Sequence, residues 1–172
     1  LALVATFLMI SQIGDVIPSL GLNTHASLIL VYLGGAMGIN IWLMKVLFVC
    51  SGNSVNFPIV PFIKSQGESL KEAGIEVDYF PLKGKGIAGY IKAGLKLRRF
   101  LKAKHYDVVH AHYTLSGWAA VIGARNTPVV ISLMGSDAYG QLAGNMAQNI
   151  RSKFYQLLTY LIQPFAAAII SK

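Results

Sequence analysis

The stretch Tyr106–Gly123, YDVVHAHYTLSGWAAVIG, constrains the fold of this chain more than any other. It reads as a buried strand, Asp107–His112, running through a short turn into a helix from about Leu115. Val108 and Val109 are adjacent, apolar and β-branched, so both faces of that strand need cover, as in a parallel sheet with helices on each side. Thr114 or Ser116 can cap the helix through a hydroxyl, and Gly117 lets the backbone come close to whatever sits above it. His110, His112, Tyr113 and the two hydroxyls therefore gather at the carboxyl end of a strand. Ligands bind there in open α/β sheets.

The remainder of residues 44–172 repeats this alternation. Lys45–Cys50 is a first strand, followed by the Ser51-Gly52-Asn53 loop. Gly52 and Asn53 both tolerate positive φ, so the loop can turn amides toward a phosphate or sugar, or serve as an ordinary strand-to-helix turn. A helix opens at Pro58 or Pro61, buries Val60, Ile63, Gly67 and Leu70, and stops at Gly74. Ile75–Leu82 is a second strand and Lys83–Gly86 a loop. Residues 87–104 form an amphipathic helix with Ile87, Tyr90, Ile91, Gly94, Leu97 and Leu101 on its inner side. Lys92, Lys96, Arg99 and Lys102 gather on another side, with no acid in the helix. After the central unit come a strand, Val129–Leu133, ending in Met134-Gly135-Ser136-Asp137, and a helix, Asn145–Gln163, with Ile150, Phe154, Leu157, Leu158 and Leu161 inward. Ala166–Ile170 is a last strand. Strands and helices in strict alternation imply an α/β fold with a Rossmann-like parallel sheet flanked by helices.

Residues 1–44 are of another kind. They contain no Lys or Arg, whereas the chain from Lys45 holds all fifteen basic residues against six acids. The run 26–44, ASLILVYLGGAMGINIWLM, is charge-free, and as a helix would span about 28 Å, close to the hydrocarbon core of a bilayer. Leu1–Ile13 is a shorter apolar run. Residues 1–43 are thus an apolar, membrane-helix-like leader, read either as a transmembrane segment or as the tail of a neighbouring membrane protein joined to the domain that follows. Basic residues after Met44 place that domain on the cytoplasmic side of the cell membrane, peripheral or anchored through residues 26–44. The lone Cys50 excludes an intramolecular disulfide and, inside a strand, is a small buried hydrophobe.

The chemistry allows several readings of the central histidines. His110 and His112, two apart on a strand, point to one face and could begin a zinc site, but only Asp137 is available as a third ligand, so no metal is expected. They can instead hydrogen-bond a sugar together with the amides of Gly135 and Ser136, or His110 can be a strand histidine satisfied by a carbonyl. A Ser116–His112–Asp137 hydrolase lacks the G-x-S-x-G elbow. The all-basic helix face suits an anionic membrane surface as well as plain solvent. Nucleic acid is not expected, since no aromatic residues interleave with these charges.

HAHYTLSGWAA, followed about twenty residues later by VVISLMGSD, resembles the N-terminal half of a family 4 glycosyltransferase of the GT-B fold. KVLFVCSGN and EAGIEVDYFPLKGKG fit the same family, so the resemblance runs from Met44 to the C-terminus, roughly three quarters of the chain. It implies that 44–172 is the acceptor-side domain of a retaining, hexosyltransferase-type enzyme, with the donor-binding domain beyond Lys172, so the parent protein is the enzyme and this fragment alone is expected to be inactive. The enzyme would move a sugar from a nucleotide sugar to a lipid-linked or polysaccharide acceptor, with no cofactor and no metal. It also implies catalytic roles for His110, His112 and Asp137, and substrate contacts for Gly52, Asn53, Tyr113, Ser116, Gly117, Gly135 and Ser136. Lys92, Lys96, Arg99 and Lys102 would meet the membrane. The alternative from another class is a non-catalytic, membrane-tethered module that binds an anionic lipid or a partner protein.

Overall fold

The computed structural model describes residues 44–135, 137, 139 and 146–171, with the side chains of 146–148 left aside. The expected membrane segment therefore lies outside the described residues, except for Met44, which is buried in the core of the sheet. Among the described residues no helix is long and apolar enough to cross a membrane.

Among the described residues, five strands and four helices alternate in the order β1 (Lys45–Ser51), α1 (Pro61–Glu72), β2 (Glu76–Leu82), α2 (Gly86–Ala103), β3 (Val108–His112), α3 (Thr114–Gly123), β4 (Val129–Leu133), α4 (Met146–Ile162) and β5 (Ala168–Ser171). A short 3-10 turn, Gln163–Phe165, leads from α4 toward β5. The sheet is parallel throughout, in the order β2-β1-β3-β4-β5. Each element lies within a residue or two of where the sequence pattern puts it.

Local chemistry explains several boundaries. Pro61 opens α1, where a missing N–H costs nothing. Gly74, at φ 87°, ends it as a Schellman motif: its N–H donates to the Lys71 carbonyl (2.9 Å) and that of Ile75 to Leu70 (3.0 Å). Given this strand order, the handedness of the crossovers decides which face each helix covers. β1 to β2 runs one way across the sheet and β2 to β3 runs back past β1, so right-handed connections put α1 on one face and α2 on the other. The core is accordingly double. Ile63 and Leu70 of α1 pack with Met44, Val46, Phe48 and Cys50, while Leu97, Ala119, Ala120 and Ile162 pack with Leu47, Val49, Val109 and Ile131.

α2 and α3 cross closely because glycines meet at the crossing. A Cβ on Gly94 would stand 2.9 Å from the Ala119 carbonyl, and one on Gly123 would stand 2.8 Å from Leu97 Cγ.

Two helices depart from the expected inner faces. α2 buries Ala93, Gly94 and Leu97, whereas Ile87 and Ile91 are 48% and 45% exposed. α4 is turned over: Ser152, Thr159 and Ile162 are buried, while Ile150, Phe154, Leu157 and Leu161 face out. The cause lies in the polar contacts that α4 makes beside the end of β3.

Candidate functional site

The direction reversal of the chain places a topological switch point between β1 and β3, and ligands of open α/β sheets bind outside the carboxyl ends of the strands at such a point. β1 ends there in Gly52-Asn53. The Gly52 N–H donates to the Leu82 carbonyl (2.8 Å), and a Cβ at Gly52 would collide with Pro81 at 2.7 Å, so this glycine serves the approach to β2. The Asn53 amide donates to the Gly84 carbonyl (2.7 Å) and accepts from the Gly84 N–H (3.0 Å). That reciprocal pair fixes the loop Lys83–Gly86, in which Gly84 (φ 141°) and Gly86 (φ 64°) take backbone conformations closed to most residues.

β3 ends one residue before Tyr113, whose N–H still pairs with the Ser132 carbonyl (2.9 Å). Tyr113 itself has φ 79° and ψ 145°, a conformation essentially reserved for glycine. Its carbonyl accepts the first helical bond of α3, from Gly117 (2.9 Å). No side chain at the N-cap position completes the end of the helix. Asp137, from 23 residues downstream, does so instead: its carboxylate accepts from the Thr114 N–H (3.0 Å) and Thr114 hydroxyl (3.1 Å), and from the Met134 N–H (2.8 Å). A carboxylate at a helix N-terminus is favoured by the helix dipole as well as by these bonds. The Thr159 hydroxyl of α4 donates to the Asp137 carbonyl (2.9 Å) and lies 2.7 Å from Thr114 Oγ1. Asp137 is wholly buried. The polar side of α4 turns inward because these contacts demand it.

Above this frame opens a cleft of about 730 Å³. Asn53 and the loop Gly84–Gly86 form one wall, with Ile87 and Tyr90 of α2 beside them. Tyr113 and Leu115 at the start of α3 also line it, as do Arg151, Ser152, Phe154 and Tyr155 of α4. The Arg151 guanidinium donates to the Tyr155 hydroxyl (3.2 and 3.3 Å) and stands 5.5 Å from that ring, which in turn meets Tyr113 edge-on at 6.4 Å. Lys85 and Arg151 are cations, and among the described residues no carboxylate joins them in the lining.

The residues singled out in the sequence thus divide. Asn53 and Tyr113 line the cleft, whereas Gly52 stitches β1 to β2. His110 and His112 are 0% and 1% exposed and do not line it. Their rings lie 4.3 Å apart and stack edgewise on Phe48 at 4.9 and 4.8 Å, and His110 Nε2 is 2.7 Å from the Ser132 hydroxyl. Among the described residues, no group of three or more metal-ligating side chains comes together. Neither Thr114 nor Ser116 caps α3 in the way the sequence suggests. Ser116 is buried within α3, and Gly117 packs against Ile131 and Ile162, so both face the core. Gly135 (φ 86°) turns the chain after β4, with its carbonyl accepting from the Tyr139 N–H (2.7 Å). Ser136 lies outside the described residues. Lys92, Lys96, Arg99 and Lys102 are all exposed on α2. Burial pushes the Cys50 thiol up to about 11, so it is protonated at neutral pH and not a nucleophile.

Lys85, Arg151, Ser152 and Tyr155 line the cleft without having been singled out in the sequence, and Tyr90, expected on the inner side of α2, joins them. The signal for the α4 residues is the polar stripe Ser152, Tyr155, Thr159. It marks the inner face only once the apolar stripe beside it is known to face out.

The family described as "Glycosyl transferase 4-like domain" matches residues 45–171. Curated relatives include the maltose/maltodextrin transport system permease protein MalG of Vibrio vulnificus, 46% identical over 55 residues, or 32% of this chain and 18% of that protein. The MalG of Escherichia coli is 42% identical over 48 residues, or 28% of this chain and 16% of that protein. The chain therefore spans less than a fifth of the length of these relatives. A crystal structure of a 1,3-propanediol oxidoreductase overlays on 52% of this chain and 28% of its own, with 14% identity and a TM-score of 0.36, too slight a likeness to carry an argument.

Proposed function

The chain belongs to the glycosyl transferase 4-like family, and on that footing we propose that its cleft holds the acceptor onto which a sugar is moved from a nucleotide-sugar donor. The observation that carries this reading is the cleft at the β1/β3 switch point, where Tyr113 and Tyr155 offer ring faces beside Lys85 and Arg151. Sugars pack their C–H faces on aromatic rings, and a departing diphosphate needs positive charge close by. In the reaction an acceptor oxygen forms a bond to the anomeric carbon as the carbon–oxygen bond to the diphosphate breaks. The acceptor proton leaves with the diphosphate. Retention of configuration, a hexose as the transferred sugar and a lipid-linked or polysaccharide acceptor belong to the same proposal. His110, His112 and Asp137, expected at the reacting centre, take supporting roles in it: the imidazoles pack on Phe48 in the core, and Asp137 binds the N-terminus of α3 at Thr114, next to Tyr113.

The test uses the full-length parent protein, because the chain alone, without the donor-binding domain that the resemblance implies, is expected to transfer nothing: the parent is incubated with labelled nucleotide sugars and a membrane lipid and glycan extract. Label transferred to the extract, and reduced by Tyr113→Ala, supports it. Transfer by the full-length protein no higher than in a protein-free control overturns it.

The outer face of α2 extends the proposal to the membrane. Ile87, Ile91 and Leu95, each close to half exposed, run along the helix beside Lys92, Lys96, Arg99 and Lys102. An apolar stripe edged with cations fits an anionic bilayer surface at the cytoplasmic side. Each charge contributes about 1 kcal/mol near such a surface. Replacing all four by Ser should therefore abolish co-sedimentation with anionic vesicles at moderate salt, and equal binding of wild type to neutral and anionic vesicles would refute it. A full-length protein that binds vesicles and transfers nothing is instead a membrane-docking module.

A further inference from the structure

We infer that the outer face of α4 is a docking surface for an anionic bilayer, separate from that of α2; the inference extends the membrane part of the proposal to a second helix. Ile150, Leu157 and Leu161 are each more than half exposed, and Phe154 completes a stripe along one side of the helix. Tyr160 beside the stripe is 70% exposed. A single exposed leucine needs no explanation, whereas a contiguous apolar stripe marks a contact surface. α2, α3 and α4 cover the same face of the sheet, where Leu97, Ala119, Ala120 and Ile162 share one core.

Charge decides what covers the stripe. α2, α3 and α4 hold no Asp or Glu between them. Arg151 and Lys153 lie beside the α4 stripe, as Lys92, Lys96, Arg99 and Lys102 do beside that of α2. The carboxylates stand elsewhere: Glu68 and Glu72 on α1 across the sheet, Glu76 and Asp78 on the edge strand β2, Asp107 ahead of β3, and Asp137 buried. A second copy packed on α4 would set cations against cations with no acid to pair them. An anionic bilayer complements every part of the surface: the stripe enters the acyl boundary, the cations meet the headgroups, and the tyrosine ring suits the interface between them. Both stripes also reach the cleft lining, through Ile87 on α2 and Phe154 on α4, so a bilayer resting on the two borders the cleft.

A polarity-sensitive nitrobenzoxadiazole label, placed in the full chain at Leu157→Cys or Leu161→Cys, tests this directly. Ile91→Cys on α2 and Glu72→Cys on α1 are the references, and Cys50, being wholly buried, should take up no label in the unsubstituted chain. All four replaced side chains are exposed, so the core is left intact. On vesicles of phosphatidylcholine mixed with phosphatidylglycerol, emission at 157 and 161 should shift to the blue and be quenched by spin-labelled lipid. Emission at 72 should stay as in buffer, and the shifts should be smaller on phosphatidylcholine alone. Three results would overturn the inference: emission at 157 and 161 no bluer than at 72, equal shifts on both kinds of vesicle, or shifts without vesicles that grow with protein concentration. The last would mean that a second copy covers α4. If the label at 91 is buried and those at 157 and 161 are not, α2 docks by itself and only this inference is lost. If those at 157 and 161 are buried and that at 91 is not, the α4 surface stands and the α2 part of the proposal falls.

Discussion

His112 and Tyr113 are neighbours in sequence and belong to different parts of the molecule. His112 continues the alternation of β3, so its ring joins that of His110 against Phe48 in the core. Tyr113 breaks the alternation with φ 79°, and its ring lines the cleft. Position at the carboxyl end of a strand is therefore not enough to put a side chain before a ligand. The parity of the strand and the sign of one dihedral angle decide it. The strained residue is the one that meets the cleft, as strained backbone at functional sites often does.

The largest effect should come from removing the frame that imposes this difference. Asp137→Ala leaves the Thr114 and Met134 N–H groups and the Thr114 hydroxyl without their buried acceptor. The loss should be on the order of 3 kcal/mol or more of unfolding free energy in urea titration. A loss under about 1 kcal/mol would mean that the β3–α3 turn holds without it.

His110→Ala and His112→Ala sharpen the comparison from the core side. Each should cost about 1–3 kcal/mol of stability, through lost packing on Phe48 and, for His110, the lost Ser132 contact. In the full-length enzyme their kcat/KM, corrected for folded fraction, should fall much less than that of Tyr113→Ala. A larger fall for either histidine would show that its ring reaches the substrate after all.

The smallest effect has the opposite sign. Tyr113→Gly relieves the unfavourable φ and should raise stability by about 1 kcal/mol while lowering activity, because glycine tolerates the conformation and offers no ring. A lower thermal midpoint for this variant would mean that the packing of the ring outweighs the strain.

Much of the fold was legible in the residues alone. Strict strand–helix alternation implied the parallel sheet, the β-branched pair Val108–Val109 its double cover, and Pro61 and Gly74 the ends of α1. The site was legible only in part. Asn53 and Tyr113 were within reach because both stand at strand ends, where position in sequence and position in space coincide.

What only the tertiary structure decided was which faces meet. In α4 the period of the apolar residues announces a stripe at Ile150, Phe154, Leu157 and Leu161, and periodicity alone takes that stripe for the inner face. The polar stripe faces inward instead, because Thr159 joins Asp137 and Thr114 in a buried cluster formed by residues up to 45 apart. No local pattern encodes a contact of that span. A helical period shows that a helix has two faces, and only its packing partners determine which of them is buried. Arg151 and Tyr155 reached the cleft by that choice, together with a lysine 66 positions earlier in the chain.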